Sequence, residues 1–209
     1  MQSACRVYLA FYCLSGVTLI YYGIKTYWDI NDDISSLNGN QIIESYSKTV
    51  MVLGCLTLSL YVIGKVGIKH SDFFLNFFLV LLVFVTILQC LVFYSIRKSH
   101  DDFDDILRIK LKKCIKSINN SLCREELDLI QVRLRCCGID SPLDWTKHRR
   151  EQKQDPIPAS CYTKGERTCY PYLTGCHPYL YEQFSTKFIQ LHFATSCAVI
   201  CGLTGLFVL

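Results

Sequence analysis

Thirteen cysteines stand among the 209 residues. A thiol can bond to a second thiol, ligate a soft metal or act as a nucleophile. Seven of these cysteines fall between residues 97 and 187: Cys114, Cys123, Cys136, Cys137, Cys161, Cys169 and Cys176. The other six, Cys5, Cys13, Cys55, Cys90, Cys197 and Cys201, lie within or beside long apolar runs. The 97–187 segment has no CxxC spacing, so a zinc site is not expected. Nor does the chain carry a Ser/His/Asp constellation, a metal cluster or a phosphate loop, and no enzyme activity or cofactor is expected. Seven cysteines in so short a segment read as a disulfide framework, which requires an oxidising compartment. Cys136 and Cys137 are adjacent, and a bond between them would close a strained eight-membered ring. Each is therefore expected to reach a different distant segment, pinning irregular chain onto a helix.

The elements that must hold these thiols follow from where the charges are. Apolar side chains make up 51% of the chain and charged ones 19%. Val7–Ile24, Thr49–Gly64, Phe73–Ile96 and Phe188–Leu209 contain no charged residue at all. About 20 helical residues cross the ~30 Å hydrocarbon layer. The spacing therefore predicts four spans, 7–24, 49–68, 73–96 and 188–209, with the second extended by a snorkelling Lys65. A 1–6 terminus, a 25–48 loop, a 69–72 turn and the long 97–187 loop complete the organisation. Tyr21, Tyr22 and Tyr27 form an aromatic belt at one end of the first span. Tyr21 and Tyr22 stand, with Lys25, where a signal peptide would carry its small-residue cleavage site. The weakest span is the second, whose alternative is a buried amphipathic helix.

Charge in the short connections is close to a tie, so the cysteines orient the chain. An oxidised long loop lies outside, with both termini cytoplasmic. The sole glycosylation sequon, Asn119-Asn120-Ser121, falls in that loop and agrees. The loop holds 17 Lys+Arg and 13 Asp+Glu, which accounts for the whole net charge of +4. That places the basic excess away from cytoplasmic lipid and from nucleic acid. Because the bases are interleaved with acids, a solvated mixed surface is the expectation.

Helical periodicity comes first within the loop. Phe103, Leu107, Leu111, Cys114 and Ile118 make one stripe, continuing outward from the third span. Asn119-Asn120-Ser121 breaks it. Leu127, Ile130, Leu134 and Cys137 make a second stripe, with Glu125, Glu126 and Asp128 in the first turn and Gly138 as the C-terminal cap. Beyond Gly138 the pattern turns irregular, punctuated by Pro142, Pro156, Pro158, Pro171 and Pro178. A short helix from about Tyr179 leads back into the fourth span.

Cys136-Cys137-Gly138-Ile139-Asp140-Ser141, then Asp144-Trp145, Pro158-Ala159-Ser160-Cys161 and Gly175-Cys176, resemble the large extracellular loop of the tetraspanins. The resemblance covers the whole chain, including the small first loop and the tiny turn. It implies an all-α membrane protein of four transmembrane helices, with a disulfide-stapled, mainly helical large extracellular loop between spans 3 and 4. It also implies Cys137 bonded to Cys161 and Cys136 to Cys176. On a chain-entropy model, such loops of about 25 and 41 residues contribute roughly 3.5 and 4 kcal/mol. The chain departs from the family at Leu9, where an asparagine is usual, while Gln89 stands at an often polar position. Gly64-Lys65-Val66-Gly67 replaces acylation cysteines, which leaves Cys5 as the palmitoylation candidate. Cys13, Cys55, Cys90, Cys197 and Cys201 are expected to be small packing residues.

Three loop cysteines remain. Cys114–Cys123 would staple the two stalk helices and leave Cys169 over. Alternatively, Cys123 links two molecules, a pattern similar to that of the photoreceptor tetraspanins. Two function classes follow. One is a membrane organiser that binds integral membrane proteins, other tetraspanins and lipids laterally, and partners through its loop. It would sit in the plasma or endosomal membrane, with a homodimer possible, and serve adhesion or signalling assemblies. Tyr162, Tyr170, Tyr172, Tyr179 and Tyr181 are its candidate anchors, in or beside a variable 139–175 region. The other class is a small four-span channel or transporter subunit, which would need ionisable residues lining a path. Only Lys65 and His192 come near that requirement.

Overall fold

The computed structural model describes residues 2–33, 40–70, 72–116, 121–149, 157–163 and 170–208. Among these residues seven α-helices follow one another: α1 Gln2–Asp33, α2 Asn40–His70, α3 Asp72–Asp101, α4 Phe103–Lys116, α5 Ser121–Leu134, α6 Leu143–Arg149 and α7 Cys176–Val208. One 3-10 turn, Ala159–Cys161, precedes α7. Among the described residues there is no strand. Four helices contain segments long and apolar enough to cross a membrane: Cys5–Ile30, Gln41–Val66, Phe73–Asp101 and Cys176–Phe207.

Each of these helices outlasts the apolar run that marks it in the sequence. The reason is an absence of breakers, since no proline occurs before Pro142. The 25–48 connection is thereby helical at both ends. The separate helix expected from about Tyr179 does not exist as such. α7 begins at Cys176 and runs unbroken to Val208, with Pro178 in the first turn, where a missing N–H removes no intrahelical bond. α6 arises in chain that periodicity reads as irregular, because seven residues are too few to display a period.

The chain divides into two compact units, at Ser99/His100 and at Thr186/Lys187. In the first, Tyr8, Leu9, Tyr12, Leu60, Phe78, Leu82 and Val85 form a buried cluster. α1 and α2 approach closely at Gly54, where an added Cβ would lie 3.0 Å from the Gly16 carbonyl oxygen. α1 and α7 pack in antiparallel register. Asp29 accepts a 2.5 Å bond from Lys187 Nζ, and two turns away Tyr22 meets Phe193 edge-on at 6.2 Å. Buried Gln89 donates through Nε2 to buried Thr57 Oγ1 at 3.0 Å, linking α3 to α2. Tyr46 adds a second link between those helices, its hydroxyl lying 2.7 Å from Ser99 Oγ. Such bonds between apolar helices contribute about 0.6–2 kcal/mol each.

The outward faces remain apolar. Phe11, Leu14, Val52, Val80, Phe84, Leu91 and Ile200 are all at least half exposed, an arrangement water would penalise and lipid would not. Close approach at Gly54 generates a test. Gly54→Leu is expected to cost about 1–3 kcal/mol through overpacking. A lowered thermal midpoint in detergent would register it, whereas an unchanged midpoint would contradict the α1–α2 packing.

Candidate functional site

The second unit is organised around the end of α5. Leu127, Ile130 and Gln131 are buried on its inner face. The helix stops at Leu134, and Arg135 takes a left-handed conformation with φ +51°. Cys136 N–H then reaches back to the Gln131 carbonyl at 3.2 Å, the long bond of a Schellman closure. Arg135, not Gly138, is therefore the cap of this helix, a correction to the periodicity reading. Gly138 serves the following turn instead. Its φ is +73°, and a Cβ there would overlap the Ser141 carbonyl oxygen.

Cys136 and Cys137 leave this closure in different directions. The structure bonds Cys136 to Cys176 and Cys137 to Cys161, with Cα separations of 5.0 and 5.1 Å. All four are fully buried. Backbone pairing runs beside the bridges. Cys137 N–H donates to Thr174 O at 2.9 Å, Cys176 N–H to Gly138 O at 3.1 Å and His177 N–H to Ile139 O at 3.0 Å. Gly175 lies between those contacts, and any side chain there would strike the backbone of Ile139 and Asp140. Both motif glycines thus permit two backbone segments to touch.

Asp144 occupies the first turn of α6, but its carboxylate serves the turn before it. Oδ2 accepts the N–H groups of Ile139 at 3.1 Å, Asp140 at 2.9 Å and Ser141 at 3.1 Å. Its neighbour Trp145 is fully buried. Indole Nε1 donates to the side-chain oxygen of Gln131 at 3.1 Å, and the same oxygen accepts Gly138 N–H at 3.1 Å. The Gln131 amide nitrogen donates to Ser160 Oγ at 2.7 Å, and Ser160 in turn donates to Asp128 Oδ1 at 2.6 Å. Pro158 opens the 3-10 turn that delivers Ser160 and Cys161, its carbonyl accepting Cys161 N–H at 3.1 Å. One buried glutamine therefore joins every motif segment except Gly175-Cys176. Sequence reasoning missed it, although a glutamine four residues beyond Leu127 on an apolar stripe was the available signal.

α4 closes the unit from the other side. Phe103, Leu107, Leu111, Cys114 and Ile115 are buried, and Cys114 is bonded to Cys123 at the start of α5. Arg108 spans to the turn beyond α5, donating to both Asp140 carboxylate oxygens at 2.9 and 3.0 Å and to Asp104 at 3.3 Å. Hydrogen bonding to Asp140 first, then that carboxylate's charge and the bond to Asp104, raise the guanidinium's proton affinity above its ordinary level against the effect of desolvation. Both side chains are largely exposed, so the pair contributes at most about 1 kcal/mol. His177 Nε2 sits 3.0 Å from Asp104 Oδ1, at ion-pair distance but outside hydrogen-bond geometry, with its ring stacked on Tyr181. Burial lowers the Lys110 pKa and raises that of Glu126.

The remaining expected positions scatter. Tyr170 is 93% exposed, while Tyr162 and Tyr172 are half-buried beside Cys161, whose carbonyl accepts Tyr172 N–H at 2.9 Å. Cys5 is half-buried near the start of α1. Asn119, Ile118 and Cys169 lie outside the described residues. With Cys123 held by Cys114, the structure does not present Cys123 as a link to another molecule. Among the described residues no His/Cys/Asp/Glu group could hold a metal.

Two tests follow from this geometry. Gln131→Leu would leave Gly138 N–H and Trp145 Nε1 without their acceptor, each at about 1–3 kcal/mol. Faster hydrogen exchange at residues 138–145 should report it; unchanged protection would refute the hub. Cys136→Ser should destabilise the unit slightly more than Cys137→Ser, by about 4 against 3.5 kcal/mol, because it opens the longer loop. Thermal unfolding of the two variants side by side would show the order.

Comparison with known proteins places this arrangement. The model of the tetraspanin family matches residues 4–209. Leukocyte antigen CD37 of Mus musculus is 27% identical over 57% of this chain and 46% of its own length. Leukocyte surface antigen CD53 of Mus musculus is 20% identical over 91% of this chain and 81% of its own length. CD82 antigen of Rattus norvegicus is 23% identical over 73% and 60%. The chain spans about half the length of the CD37 relative. Four membrane-length helices and a cysteine-bridged unit between the third and the last accompany a match along nearly the whole chain, so the protein is a multi-pass membrane protein that belongs to the tetraspanin family.

Proposed function

We propose that this chain is a non-catalytic membrane organiser. It binds integral membrane proteins, including other tetraspanins, and lipids through its helix faces. It binds further partners through the 139–175 segment, in cell-surface adhesion or signalling assemblies. The observation that carries this reading is the pairing of a cross-linked frame with an open rim. Cys136, Cys137, Cys161 and Cys176 are buried, while Leu143, Tyr170 and Leu173 stand 61%, 93% and 80% exposed around them. A frame that holds exposed aromatic and aliphatic side chains without burying them lowers the ordering cost of an interface.

Topologically, the 97–187 loop faces the oxidising side of a plasma or endosomal membrane and both termini the cytoplasm. The need of three disulfides for an oxidising compartment supports that orientation. The proposed limits remain 1–6, 7–24, 25–48, 49–68, 69–72, 73–96, 97–187 and 188–209. Asn119 is the glycan site and Cys5 the acylation site on this topology. A channel or transporter would instead require ionisable groups along a path. The buried polar residues on the membrane-length segments are overwhelmingly neutral, among them Ser15, Thr26, Ser47, Thr57, Thr86, Gln89 and Thr195.

Proximity labelling from the loop tests the assignment. A protein with residues 139–175 exchanged for unrelated sequence of equal length, keeping Gly138, Cys161 and Gly175, should lose a specific subset of neighbours and retain the lateral ones. Identical neighbour sets would exclude this segment as a partner surface.

A further inference from the structure

From Ile106 to Arg124 the sequence holds six basic residues and no acidic one: Arg108, Lys110, Lys112, Lys113, Lys116 and Arg124. The loop as a whole mixes its charges, but this stretch does not. The structure sorts the six further. Arg108 is occupied by Asp104 and Asp140. Lys110 is partly withdrawn into the unit. Lys112, Lys113 and Lys116 are exposed on one side of α4, and no carboxylate among the described residues lies within ion-pair distance of them. Lys112 and Lys116 are one turn apart, about 6 Å along the axis, with Lys113 alongside. The Cys114–Cys123 bridge brings the start of α5, and with it Arg124, to this end of α4, with a Cα separation of 5.3 Å.

Two ordinary explanations do not absorb the cluster. A helix C-terminus presents roughly half an elementary negative charge, which one lysine already offsets. A protein-binding face would be expected to favour arginine and aromatic residues, since lysine is depleted in interface cores. A row of exposed lysines on a convex helix, without a carboxylate partner among the described residues, matches a flexible polyanion instead. Such a ligand needs no cavity, and the release of its condensed counterions drives binding. On the reading that the loop is extracellular, the polyanion available there is a sulfated polysaccharide. We propose that Lys112, Lys113 and Lys116 of α4, extended by Arg124, form a docking strip for a sulfated polysaccharide of the cell surface or matrix.

The experiment uses the full chain in detergent micelles with heparin as probe. Fully desulfated heparin and polyglutamate serve as competitors of other chemistry. The parent should bind heparin with an affinity that falls steeply with salt, and should bind both competitors at least about tenfold more weakly. Lys112→Gln/Lys113→Gln/Lys116→Gln should lose about tenfold or more, while Lys98→Gln, an exposed lysine on α3, should not. Unchanged non-reducing mobility of the variants, with reduction shifting all of them alike, verifies that the bridges remain. Parent-like heparin binding by the triple variant overturns the strip. Equal loss in Lys98→Gln reduces it to net charge and overturns it too. Polyglutamate binding as strong as heparin would assign the strip to an acidic polypeptide. A membrane-impermeant amine reagent on intact cells separates the underlying topology. Modification of loop lysines without heparin binding rejects the strip alone, and no modification rejects the extracellular placement together with it.

Discussion

The long loop depends on one constraint. A segment of roughly ninety residues, much of it proline-punctuated, must hold its shape around the end of a single short helix. Cys136 and Cys137 resolve this by leaving the closure of α5 in opposite senses, one to the start of α7 and the other to the 3-10 turn at Cys161. Everything nearby is shaped by the closeness this imposes. Gly175 lets the incoming chain lie against Ile139 and Asp140, and Gly138 allows the turn that Asp144 secures. Crosslinks supply proximity, but direction comes from hydrogen bonds. Gln131 is where those directions converge, because one amide can accept from Trp145 and Gly138 while donating to Ser160.

The helical unit obeys a different rule. Apolar surface gains nothing from meeting other apolar surface in lipid, so helix association relies on close contact and a few polar links. Gly54 against Gly16 supplies the contact. Gln89 to Thr57, Tyr46 to Ser99 and Lys187 to Asp29 supply the links. Several interior hydroxyls bond to their own helix backbone, as Ser15 does to the Tyr12 carbonyl and Thr86 to the Leu82 carbonyl.

Legibility followed the length of each signal. Four charge-free runs of 16–24 residues marked the spans, and the stripes Phe103–Leu107–Leu111 and Leu127–Ile130 marked α4 and α5. α6 was invisible because seven residues carry no measurable period. The cap of α5 was misplaced by three residues. Gly138 is left-handed as the residue type suggests, but in the turn that follows, while the left-handed residue that closes the helix is Arg135. The short helix expected from about Tyr179 to lead into the fourth span is part of it, since no proline follows Pro178. Gln131, Arg108 and His177 became significant only through residues distant from them in the chain.

What the sequence determined by itself was the class of molecule. Burial of uncharged runs and the oxidation chemistry of clustered thiols depend on composition and local spacing, and both can be read without coordinates. The resemblance of its motifs then named the family and the cysteine partners that family implies. Only the tertiary structure decided which polar groups converge on one amide, which glycine was needed for approach and which for φ, and which lysines stand without an acid partner among the described residues. Those outcomes depend on directions and distances between segments distant in the chain, held together by bridges whose sequence separations are 24 and 40. A linear spacing does not encode such directions, because the path between its ends is set by packing and crosslinks elsewhere.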